Sequence, residues 1–117
     1  MKIIEAINYI DELKPNGYSQ PMKVRWLSLL DGKIMSEIIG TTGFAGYDDD
    51  TPLDTELTVP YPYDEVYTYW LEAQIDYANG EYPRYNNSMA MFNTAYSAFE
   101  RYHIRTNVGK GTKFKFF

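Results

Sequence analysis

The stretch DEVYTYWLEAQIDYANGEYPRYNNSMAMFNTAYSAFERYHIR, residues 64–105, decides the fold. Its first part sets Val66, Trp70, Leu71, Ile75 and Ala78 at helical spacing, behind Asp64 and Glu65, whose charges suit the positive end of a helix. Asn79-Gly80 is a stop signal. The pattern resumes near Pro83 and carries Tyr85, Met89, Phe92, Ala95, Tyr96, Phe99, Tyr102 and His103 to about Arg105. Two helical patterns a few residues apart predict an antiparallel hairpin.

Upstream, Ile3, Ile7, Ile10 and Leu13, with Ile4 beside them, mark a short amphipathic helix that stops at Lys14-Pro15-Asn16-Gly17. Ser19 is a good N-cap and Pro21 falls in a first turn, so Val24, Leu27, Leu30, Ile34 and Ile38 read as the stripe of a second helix ending at Gly40. Residues 41–61, TTGFAGYDDDTPLDTELTVPY, hold glycines, prolines and an acidic run, the composition of a loop, within which residues 57–59 have the pattern of a short strand. Downstream, TNVGKGTKFKFF is loosened by glycine and then alternates Lys with Phe, a period-two signal for an extended arm. The expected fold is all-α: a four-helix bundle-like domain over residues 1–105, with an acidic loop at 41–61 and a strand-like arm at 106–117. Ile7, Leu27, Trp70, Leu71, Phe92, Tyr96 and Phe99 are its expected core.

Charge is unevenly placed. No Lys or Arg occurs between Lys33 and Arg84, while acids run from Glu37 to Glu81; beyond that come Arg84, Arg101, Arg105, Lys110, Lys113 and Lys115 against the single acid Glu100. An acidic middle and a cationic, aromatic tail suit a protein that binds copies of itself or a larger body of opposite charge. The 12 tyrosines add flat contact surface with polar tips, at home in partly wet interfaces. The absence of cysteine excludes disulfides and thiolate chemistry. The opening MKIIEAINYIDELK has charges inside its apolar pattern, unlike a signal peptide, and no apolar run approaches membrane-spanning length. The net charge of −5 argues against general nucleic-acid binding.

The residues offer little chemistry. His103 lies in the aromatic stripe without a sequence-adjacent partner to make it a base. Asp48, Asp49 and Asp50, with Asp54 and Glu56, could gather a hard cation, but the alternation, glycine and final glutamate of a calcium loop are missing. The pairs Asp64 with Glu65 and Glu72 with Asp76 read as solvated helix face. Gly43, Gly46, Gly109 and Gly111 lack phosphate-cradle spacing. The expectation is no catalytic residue, no cofactor and no metal. In contrast, Asn86, Asn87, Ser88, Asn93 and Ser97 interleave the aromatics of the last helix, giving a polar but nearly uncharged face that suits lateral contact between subunits.

Residues 53–105, together with IIEAINYIDELKPNGYSQPMKVRWLSLLDGKI at 3–34, resemble a set of small proteins of prophages and tailed phages of Gram-positive bacteria. Where that set reads Tyr-x-Asn-Arg, this chain has Tyr102-His103-Ile104-Arg105. In size, helical content and tail the set is similar to the head-tail connectors, or adaptors, that form a ring beneath the portal of long-tailed phages. The resemblance implies a structural virion protein with no active site, soluble in the host cytoplasm and then assembled at the virion neck. It implies a twelve-membered ring of copies, contacts to the portal above and to a stopper or tail protein below, DNA only in transit, and no membrane. Lys113, Phe114, Lys115, Phe116 and Phe117 would then dock onto a partner. Asp48, Asp49, Asp50, Asp54 and Glu56 would line the lumen or face a neighbouring subunit. Another phage assembly protein, such as a tail-completion factor or scaffold, and an acidic inhibitor of a host protein are the other readings.

Overall fold

The structure is a computed structural model that describes residues 1–107; the expected arm falls mostly on residues 108–117, which lie outside the described residues. The chain folds into α1 (Ile3–Leu13), α2 (Gln20–Ile34), a π-helical turn (Met35–Ile39) that continues α2, α3 (Glu65–Ala78) and α4 (Tyr82–Asn107). The all-α expectation is met, and among the described residues no strand forms.

The punctuation works as its chemistry dictates. Ser19 Oγ accepts from the Met22 N–H at 3.3 Å and Pro21 occupies the first turn of α2, where its missing donor costs nothing. Asn79 and Gly80 close α3 as a Schellman motif: Glu81 N–H donates to Asp76 O and Gly80 N–H to Tyr77 O, with Gly80 at φ 76°. α4 starts two residues later and packs back along α3, the most extensive helix pairing in the molecule. At the end of α2 the wider π turn brings Ile38 and Ile39, neighbours in sequence, both against the core before Gly40 ends it at φ 80°.

One cap comes from far away. The free N–H groups of Ile3 and Ile4 at the start of α1 donate to Thr55 O and Leu53 O of the long loop, at 3.0 and 2.9 Å. The loop is thus folded against the helices. Leu57 and Val59 enter the core with Ile3, Ile7 and Ile10 of α1, Leu27 and Leu30 of α2, Val66, Tyr67 and Leu71 of α3, and Phe92 and Phe99 of α4.

Several expectations need correction, and Leu13, read as part of the α1 stripe, is exposed. Residues 57–59 form no strand; a single antiparallel bridge joins Lys2 to Glu56, because the N–H groups of Thr58 and Val59 are taken by side chains and Pro60 has none to give. Ile7, Leu27, Leu71, Phe92 and Phe99 are buried as expected, whereas Trp70 and Tyr96 are only partly so. Their polar tips account for this: Trp70 Nε1 donates to Trp26 O, and Tyr96 Oη donates to Glu37 Oε1. Ala78 is exposed past the packed part of α3. Asp76 does not lie on a solvated face but is 1% exposed, facing α1 and α4.

Candidate functional site

The loop that carries the acids is held by a carboxylate deep in α2. Asp31 sits in the apolar stripe between Leu27 and Ile34 and is fully buried. Its Oδ1 accepts from Tyr67 Oη at 2.5 Å; its Oδ2 accepts from Tyr47 Oη at 2.5 Å and from the Thr58 N–H at 3.2 Å. Tyr67 Oη in turn accepts from the Val59 N–H at 2.9 Å. Burial first, and then the Asp31 charge, push the Tyr67 phenol well above the ordinary tyrosine range, and burial with the hydrogen bond to Asp31 does the same for Tyr47. Both phenols therefore stay protonated and donate. The group is a staple: one carboxylate and two tyrosines fasten residues 47, 58 and 59 to α2 and α3.

The staple sets where Asp48, Asp49 and Asp50 stand. Tyr47 N–H also donates to Ser28 Oγ at 2.9 Å, and Gly46, at φ 86°, passes so near that a Cβ there would lie 2.8 Å from the same oxygen. The chain then turns outward. Asp48 Oδ1 accepts from the Asp50 N–H at 2.9 Å and from Thr51 Oγ1, a side-chain-closed turn that leaves all three aspartates exposed. They edge an open groove of about 430 Å³ completed by Pro21, Val24, Arg25 and Tyr47. Asp54 and Glu56 are exposed further along, Glu56 Oε1 lying 3.4 Å from the Met1 amine. Among the described residues no group of three or more His, Asp or Glu side chains converges as metal ligands do.

Two further polar knots lie between helices. Asp76 Oδ2 accepts from Ser88 Oγ of α4 at 2.9 Å, and Lys14 Nζ lies 2.7 Å from Oδ1 as an ion pair outside good hydrogen-bond alignment. Lys23, 2% exposed, donates to Asp11 Oδ1 at 2.6 Å and to Tyr18 O at 2.9 Å. Each ties the end of α1 to another helix. A charged residue inside an apolar helical stripe was the sequence signal for Asp31, Asp76 and Lys23. It went unread because their partners are far along the chain or carried by another element.

The outward side of α4 carries a run of uncharged exposed residues. Asn86, Asn87, Ala90, Met91, Asn93 and Thr94 are all exposed, Met91 to 50%, and charge returns only at Glu100 and Arg101. At the hairpin end of this face the exposed rings of Tyr77 and Tyr82 lie 5.7 Å apart, and Tyr85 is 5.3 Å from Tyr77. Of the residues expected on this face, Asn86, Asn87 and Asn93 are exposed, Ser97 is half-buried, and Ser88 is instead buried against Asp76. His103 is half-buried against Phe99, its Nδ1 3.3 Å from Asn107 Nδ2, and among the described residues no carboxylate is bonded to it. Lys113, Phe114, Lys115, Phe116 and Phe117 lie outside the described residues.

The chain matches no protein-family model, no curated protein and no solved structure.

Proposed function

We propose that this chain is a structural subunit of a phage head-tail connector, an adaptor that assembles as a ring of copies beneath the portal and bridges it to the next connector or tail protein. In this reading the four helices act as a bundle-like body, and residues 106–117 as an extended arm that docks on a partner. The carrying observation is the 26-residue α4, whose exposed side bears no charge from Asn86 to Thr94 and ends in a tyrosine cluster. Free solvent rewards charge on a helix face; amide, methyl and methionine side chains reward close packing against a like surface. Flat phenol rings at its end add contact area at small entropic cost.

The stapled loop fits the same role. It presents Asp48, Asp49 and Asp50 from a fixed base, so their charge occupies a defined place that can repel passing DNA or meet basic groups of a neighbour.

The test is a pull-down of the tagged chain from its host during phage production, with mass spectrometry and negative-stain imaging of the captured particles. Portal protein bearing a collar of tagged chains is the expected outcome. A monomer bound to one basic host protein, without portal, would instead establish the inhibitor reading and end this one.

A further inference from the structure

A second groove, of about 280 Å³, lies where the start of α3 meets the C-terminal half of α4, lined by Pro62, Tyr63, Glu65, Ala95 and Ala98. Its floor exists because Ala95 and Ala98 are the small residues in a row that otherwise carries Phe92, Phe99 and Tyr102. Tyr63 forms a fixed wall, stacked on Tyr102 at 4.6 Å. Glu65 is the one charged side chain in the lining. The volume falls below the ~300–1,000 Å³ of small-molecule sites and suits one or two side chains.

The geometry points to residues 113–117 of the same chain, Lys113 to Phe117, as the occupant of this groove in the isolated subunit. Reach allows it. From Asn107 back to Ala98 is about 14 Å along the helix and to Ala95 about 18 Å. Residues 108–114 span up to ~23 Å, and Gly109 and Gly111 permit the reversal. Chemistry favours it, since the segment supplies rings for an apolar slot and lysines for Glu65, the one charged residue of the lining, while the nearby Arg105 of α4 is turned over the Tyr102 ring. Tethering favours it over a second copy, because a short linker gives a local concentration in the millimolar range. The inference goes beyond the assembly role, since it concerns a single chain. It adds that a partner would have to offer a better seat before the segment leaves its own.

The chain has no cysteine, so engineered pairs report proximity without background. The full chain carrying Ala98→Cys with Phe116→Cys is oxidised mildly at high dilution, beside a control carrying Glu100→Cys with Phe116→Cys. Position 100 is exposed, nearer to the segment in sequence, and about 200° around the helix from Ala98. Docking predicts several-fold faster closure from position 98, within one chain, and slower closure when Glu65→Lys is added. Equal or faster closure from position 100, or a product that is a crosslinked dimer, overturns it. Circular dichroism of each variant confirms that the helices are unchanged.

Discussion

Asp31 is the residue on which the loop depends. It is fully buried, and among the described residues no cation pairs with it, its oxygens being met there by two phenol donors and one backbone N–H. Asp31→Asn keeps the volume but replaces one accepting oxygen with an NH₂ group, which faces either the Thr58 N–H, a donor that cannot accept, or the Tyr67 hydroxyl, which already accepts from the Val59 N–H and loses the acceptor for its own proton. The expected cost is about 2–3 kcal/mol in chemical denaturation, with earlier proteolytic cleavage near residues 46–52. Tyr67 gives a second reading of the same site. Its phenol pKa is raised by burial and by Asp31, above an unfolded value of about 10. Its contribution to stability is therefore whole below about pH 10 and is lost as pH rises from there toward the folded value, at about 1.4 kcal/mol per pH unit. Denaturation midpoints at about pH 9 and about pH 11 should diverge more for the parent chain than for Tyr67→Phe, which has no proton to lose at this position. Equal divergence would remove Tyr67 from the staple. None of this geometry is visible in the sequence beyond a carboxylate out of place in SLLDGKI, because the staple joins positions 31, 47, 58 and 67 through space.

At the scale of elements, the helices were legible and the loop was not. Local signals set the helices: the Ser19 cap, Pro21, and the Asn79-Gly80 stop each act within a few residues of themselves. The loop draws its order from other elements, with Thr55 and Leu53 capping α1, Tyr47 reaching Asp31, and Leu57 and Val59 alternating into the core without a partner strand. Two glycines separate these sources of order. At Gly80, φ is 76° and an added Cβ meets nothing within 4 Å, so Gly80→Ala carries only the conformational cost, about 1 kcal/mol. At Gly46, φ is 86° and the added Cβ meets Ser28 Oγ, the acceptor for Tyr47 N–H. Gly46→Ala should cost about 2–3 kcal/mol and speed hydrogen exchange at Tyr47 and Thr58, while Gly80→Ala leaves those amides protected. Equal costs at the two positions would mean that the loop is not pressed against α2.

For the whole molecule, the proposed ring makes a prediction that folding alone does not. The side of α4 from Asn86 to Thr94 is exposed, so a charge placed there costs the single chain within about 0.5 kcal/mol. Buried between two copies, the same charge would lack a partner and cost several kcal/mol per interface, repeated around the ring. Met91→Glu should therefore leave the melting temperature of the isolated chain nearly unchanged while abolishing rings on portal particles in negative stain. Removing residues 108–117 should also leave the helices intact and abolish assembly, but for a different reason, because it deletes the lysines and phenylalanines that would seat a partner and leaves the α4 face untouched. Mixing the two variants tells them apart. Lateral contact through α4 and docking through the arm are separate surfaces, so a mixture places at best isolated Met91→Glu subunits on portals, since their arms can dock without neighbours. The truncated chains stay in solution. Normal virion yield from either variant alone would mean that its surface is not an assembly surface.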